Sequence, residues 1–168
     1  MSSIVNLKPE AADLTSQASG ENGAPELTIY GMAGHLIRRL QQKSTHVFQQ
    51  RMKAAGIDLT SVQFAALDAI RANPGIDQAS VASLIAYDRA TIGGVIDRLE
   101  QKGLITREVS KKDRRARELA LSTAGQALYT QILPLIQALQ SDILTGLTDT
   151  EKQSLLSLIA KTTNSVEA

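Results

Sequence analysis

The sequence predicts a mainly α-helical fold with a small β-wing: a winged helix-turn-helix carried between helical regions near the N- and C-terminal ends. Three observations predict it. A short amphipathic helix opens at Asp88 and is followed at once by two alternating runs around a cation-rich tip. Hydrophobic residues make up 43% of the chain but aromatic residues only 3%, so the core is built of Leu, Ile, Val and Ala, which favours helices. The flanking segments carry long apolar stripes of helical period.

In chain order, residues 1–26 are rich in Ser, Gly, Ala, Asn and Pro without hydrophobic periodicity and read as a flexible tail. They lack the basic start and apolar stretch of a secretory signal, and no run approaches the ~18 apolar residues of a membrane span. The expected location is therefore cytoplasmic, with no membrane partner. From Leu27 to Ala55 the pattern predicts one long helix bearing Ile29, Met32, Leu36, Ile37, Leu40, Val47, Phe48 and Met52, an apolar surface wide for a small domain. Thr60-Ser-Val-Gln63 is a capping box opening a helix with Phe64, Leu67 and Ile70 inward, ended by Asn73-Pro-Gly75. A short helix over 77–86 turns Val81, Leu84 and Ile85 inward, and Ala86-Tyr87-Asp88 makes the turn into the next.

That next helix places Ile92, Val95, Ile96 and Leu99 on one stripe, with Asp88 as N-cap and Gly103 as stop. Its other side carries Arg89, Thr91, Gly94, Arg98 and Lys102, small and basic side chains suited to a major groove. Gly93 and Gly94 each cost the helix roughly 1 kcal/mol relative to Ala, which close approach to DNA or to a neighbouring helix would offset. Leu104–Val109 and Ala116–Leu121 then alternate as a hairpin. Its tip holds Lys111, Lys112, Arg114, Arg115 and Arg117 against the single acid Asp113. An isolated run of this kind is usually a solvated tip. Directly after a groove-shaped helix it reads as a wing that neutralises phosphate.

The net charge is only +1, yet residues 89–117 hold nine Lys or Arg against four Asp or Glu, so the positive field is concentrated there. Double-stranded DNA is the implied partner. Beyond the hairpin, Thr123 to about Leu144 reads as a helix striped by Leu128, Ile132, Leu135, Leu139 and Ile143 with Leu133 and Ile136 beside the stripe, and Pro134 is expected to kink it near Thr130. Thr148-Asp-Thr-Glu151 is a second capping box before a last helix with Leu155, Leu156, Leu158 and Ile159. The domain reading follows: 60–121 is the winged helix-turn-helix, and 27–55 with 123–164 are dimerisation helices of one 27–168 domain. A homodimer would cover the surplus apolar surface and set its reading helices about 34–36 Å apart, on a pseudo-palindromic operator.

Little points to an enzyme. There is no phosphate-binding glycine loop, no nucleophile elbow and no cysteine. His35 and His46 lie eleven residues apart on one predicted helix, roughly 16 Å, too far to share a metal within one chain. No cofactor is implied.

Taken together, Gly56-Ile-Asp-Leu-Thr-Ser-Val-Gln-Phe-Ala-Ala-Leu67, the helix after Asp88 and Asp113-Arg-Arg-Ala-Arg-Glu-Leu-Ala-Leu-Ser-Thr-Ala-Gly125 resemble the MarR family of bacterial transcription regulators. The likeness spans about residues 30–160 and departs at Ser122, where Thr is usual, and at Gly93-Gly94, where bulkier residues are common. It implies the same interleaved dimer. Gly34-His-Leu-Ile-Arg-Arg-Leu-Gln-Gln42, with Pro74-Gly-Ile-Asp-Gln78, looks like the branch that senses aromatic carboxylates and controls their catabolism. The ligand candidates are His35, Arg38, Phe48 and Phe64: a guanidinium clamps a carboxylate while rings pack on an aromatic body. Ion pairing of Arg38 and burial of His35 at a dimer interface is the competing account of the same residues. The expected function is a homodimeric repressor released by a small aromatic acid; the alternative is a ligand-independent architectural DNA-binding protein.

Overall fold

The computed structural model describes residues 27–109 and 117–164. The chain divides into two compact units, residues 1–36 and 37–168. In the first, Thr28–Gly31 forms a 3-10 turn closed by Tyr30 N–H on Leu27 O and Met32 N–H on Ile29 O, both 3.0 Å. Helix α1 (Ala33–Ala54) begins only after it, not at Leu27 as the periodicity suggested. Gly31 is a poor helix former, and Met32 is extended at φ −83, ψ 133, which separates the turn from the helix.

The second unit holds the core. Its elements are α2 (Ser61–Ala72), α3 (Gln78–Leu84), α4 (Arg89–Gln101), β1 (Ile105–Val109), β2 (Arg117–Leu121), α5 (Thr123–Ile143) and α6 (Asp149–Asn164). The antiparallel pair runs from Ile105 opposite Leu121 to Val109 opposite Arg117. A bridge from Ile76 to Leu119 extends it by one pair, with Gly75 N–H donating to Leu119 O. Leu67 and Ile70 of α2, Val81 of α3, Ile92, Ile96 and Leu99 of α4 and Leu119 of β2 are fully buried, so three helices and the hairpin share one centre. Phe48 and Met52 of α1 and Ile132 and Leu139 of α5 close it from outside.

The capping box at Thr60 forms in both directions, Gln63 N–H to Thr60 Oγ1 at 3.2 Å and Thr60 N–H to Gln63 Oε1 at 3.1 Å. Leu84, expected inward, is 61% exposed, because α3 ends there after seven residues and the chain turns away into its cap at Ile85. Helix α5 starts against the turn that leads into β1: Ser122 Oγ donates to Gly103 O at 2.6 Å and accepts from Gly125 N–H at 3.0 Å, so serine makes the cap without threonine's methyl. A Cβ at Gly125 would lie 1.9 Å from Leu104 O, and this approach of two backbones excludes every side chain. Helix α5 runs through Pro134 unbroken to Ile143. Its buried side chains are Tyr129, Ile132, Ile136 and Leu139: Ile132 and Leu139 of the expected stripe and Ile136 beside it are inside, whereas Leu128, Leu133, Leu135 and Ile143 are only partly covered. Helix α6 buries no residue.

Candidate nucleic-acid interface

Helices α3 and α4 are joined by a tight turn in which Ala86 takes φ 50, a left-handed conformation that costs a non-glycine residue roughly 1–2 kcal/mol. Asp88 is the N-cap by backbone position, φ −67 and ψ 131, but its side chain makes no cap bond. Instead Thr91 Oγ1 donates back to Asp88 O at 3.1 Å, so the hydroxyl of this predicted DNA-facing residue is engaged with its own helix. The stop at Gly103 is as expected: φ is 69, and Leu104 N–H reaches Leu99 O at 3.0 Å, the closure of a Schellman motif.

Arg89, Thr91, Gly94 and Arg98 are all exposed on α4. The two glycines separate. A Cβ on Gly93 would meet the Gln78 side-chain amide at 3.3 Å, so Gly93 lets α3 pack close. Gly94 has nothing within 4 Å and presents bare backbone outward.

The local cation excess is partly spent within the fold. Arg107 on β1 pairs with Asp97 at 2.5 Å and Glu100 at 3.2 Å, fastening the hairpin to the side of α4. Lys102 pairs with Asp58 at 2.7 Å, fastening the end of α4 to the segment before α2. Both links cross between elements, so no spacing rule in the sequence exposed them. Among the described residues Arg89 and Arg98 form no ion pair and keep their charge for an outside anion. Lys111, Lys112, Arg114 and Arg115, the predicted wing-tip cations, lie outside the described residues.

Of the ligand candidates, the structure brings Phe48 and Phe64 together, ring centroids 6.5 Å apart. Arg38 is exposed on α1, while His35 stands in the first unit, half-buried with its ring 5.5 Å from Tyr30. Tyr129 escaped the sequence reading. It stacks on Phe64 at 5.6 Å and 5° between planes, and the Arg71 guanidinium lies 4.8 Å from its centroid. Tyr129 Oη donates to Asp68 Oδ1 at 2.6 Å, and Arg71 Nη2 donates to the same oxygen at 2.9 Å. The tyrosine hydrogen bond, and after it the Arg71 cation, hold the Asp68 carboxyl below its ordinary range against the opposing effect of burial. Burial foremost, then the Asp68 carboxylate, pushes the Tyr129 phenol up. The only advance signal was a ring at a helical position three before Ile132. Among the described residues no three His, Asp or Glu gather as a metal site, and no helix is long and apolar enough to cross a membrane.

A helix presented after a tight turn and backed by a two-stranded hairpin defines a winged helix-turn-helix protein. Residues 59–116 match the model of the MarR family. The chain is 33% identical over 134 residues to the HTH-type transcriptional repressor NicR of Pseudomonas putida, covering 80% of this chain and 84% of NicR. Its fold matches Bordetella bronchiseptica BpsR, whose DNA binding is regulated by 6-hydroxynicotinic acid, with TM-score 0.74, 29% identity and coverage of 83% and 98%. It also matches the transcriptional repressor CouR bound to a 23-mer DNA duplex, with TM-score 0.72, 29% identity and coverage of 83% and 99%. The chain belongs to the MarR family, and MarR-type proteins are transcription regulators.

Proposed function

We propose that this chain is a cytoplasmic, homodimeric repressor, not an enzyme, that binds a pseudo-palindromic operator and is released by a small aromatic carboxylate, in control of aromatic-compound catabolism. The observation that carries the DNA half is α4: buried on one side by Ile92, Ile96 and Leu99, exposing Arg89, Thr91, Gly94 and Arg98 on the others, and braced by Arg107 of the hairpin. Lys111, Lys112, Arg114 and Arg115 of the wing add phosphate neutralisation. Residues 60–121 are then the reading head, with 27–55 and 123–164 forming the dimer. The dimer is supported by α6, where Leu156 is 57% and Leu158 62% exposed on a helix that buries nothing of its own.

The effector half rests on the likeness to BpsR and on His35, Arg38, Phe48 and Phe64. Release requires the acid to prefer a setting of the reading heads that no longer matches one DNA turn. The test selects a duplex from a randomised pool and follows its anisotropy with and without 6-hydroxynicotinate. A selected palindrome released by the acid is expected. Arg38→Ala should bind the acid more weakly by roughly 2–5 kcal/mol through loss of the bidentate pair. Release that is identical in Arg38→Ala removes Arg38 from the site, and no acid response removes the sensory half.

Gly94 favours the second reading, since bare backbone at the centre of the exposed face offers no side chain to a base edge. An architectural binder would return no consensus from the same pool.

A further inference from the structure

Helix α5 leaves the reading head from a fixed point. Ser122 N–H donates to Leu104 O at 3.0 Å, and Gly125 lies so close to that carbonyl that no side chain fits between them. An anchor at one end leaves a helix free to swing about it, and a second anchor further along fixes its direction. The second is Tyr129, one turn beyond Gly125. Phe64, Asp68 and Arg71, at helical spacing along α2, grip it together. Phe64 stacks on its ring at 5.6 Å, the Arg71 guanidinium lies 4.8 Å from the ring centroid, and Asp68 Oδ1 accepts from its hydroxyl at 2.6 Å. Ile132, Ile136 and Leu139 are buried further along, but apolar packing has no preferred direction, whereas the hydrogen bond holds one geometry. Arg51 of α1 pairs with Asp142 near the far end at 2.5 Å, which ties α5 to the other proposed arm helix and not to the head.

We propose that Tyr129 is the positioning residue that sets the angle between the reading head and α5, and with it the half-site spacing that the homodimer accepts, by its hydrogen bond to Asp68. The inference rests on the dimeric, operator-binding reading above. From Tyr129 to Ile143 the helix runs about 21 Å, so a swing of ~10° at Tyr129 displaces its far end by roughly 4 Å. That exceeds the rise of one base pair, about 3.4 Å. A bond that forms at one angle favours one spacing by its own net worth. At this half-exposed carboxylate that worth is about fivefold, the equivalent of ~1 kcal/mol. Tyr129 therefore acts on where the two heads stand and not on how either one contacts its half-site.

The experiment measures anisotropy of the full chain on duplexes carrying the selected half-sites at the selected spacing, one base pair closer and one base pair further apart, and on a duplex with a single half-site. The wild type is expected to prefer one spacing. Tyr129→Phe, which keeps the ring, should lower that preference by about fivefold while affinity for the single half-site stays unchanged. Asp68→Ala cuts the same bond from the other side and should match it. Asp68→Asn, whose amide oxygen still accepts from the phenol, should keep most of the wild-type preference. If Tyr129→Phe weakens binding at every spacing by one factor and leaves the ratios intact, Tyr129 only stabilises the fold, and this inference fails while the operator reading stands. It fails equally if Asp68→Asn flattens the preference as fully as Asp68→Ala does. A wild type indifferent to spacing overturns the dimeric reading and this inference together.

Discussion

Helices α4 and α6 carry similar numbers of apolar residues and meet opposite fates. Over 13 residues α4 buries Ile92, Ile96 and Leu99 completely, whereas α6, over 16 residues, buries none. Helix α4 is held by a shared core and three cross-element ion pairs, so its position is set by the chain itself. Helix α6 is started by local chemistry alone: Thr148 N–H donates to Glu151 Oε2 at 2.7 Å and Lys152 pairs with Asp149 at 3.1 Å. A reading head must keep one shape against a rigid duplex, and its burial supplies that. In the proposed dimer, an arm that finds its apolar contacts in another copy gains nothing from burying them first.

The contrast breaks first at the core. Ile96→Ala should cost about 2–5 kcal/mol, the range for emptying a fully enclosed aliphatic site, read as a shift of the urea midpoint at constant slope. A loss under about 1 kcal/mol would mean that the reading head is far looser than its burial implies.

Leu156→Asp sharpens the other side. In the isolated chain an exposed position tolerates the change within about 0.5 kcal/mol. In the proposed dimer the same aspartate is an unpaired buried charge, and association should weaken by several kcal/mol. Sedimentation equilibrium across a concentration series separates the two, and a variant that dimerises as the wild type does removes α6 from the interface.

The smallest expected effect lies where α2 meets α5. Tyr129→Phe keeps the stack on Phe64 and loses the hydrogen bond to Asp68, costing about 1 kcal/mol at this half-exposed carboxylate. Its pH dependence is the firmer readout. Asp68, depressed in the fold, contributes stability above its ordinary value of 3.8 that disappears as pH falls through the lower folded value. Tyr129, raised in the fold, contributes below its ordinary 10.0 and loses that contribution as pH rises through the higher folded value. Stability against pH for Tyr129→Phe should lose the alkaline limb and keep a shallower acid limb, which Arg71 still supports; an unaltered alkaline limb would assign it to another group.

What the residues declared by themselves was whatever acts within one or two helical turns. The capping boxes at Thr60 and Thr148, the stripe of Ile92, Ile96 and Leu99 and the stop at Gly103 all depend on neighbours three to five positions away, and all form. The likeness in the segments from Gly56 to Gly125 was equally legible, because the order of such segments is itself sequence. Tertiary structure alone decided which of two adjacent glycines faces Gln78 and which faces outward, and that Arg107 and Lys102 neutralise local acids. It alone turned Leu84 outward and brought Phe64 onto Tyr129, 65 positions further along the chain. The physical reason is that periodicity reports that a helix has an apolar side, while the element that covers it, and the flank a long cation reaches, depend on how distant segments pack.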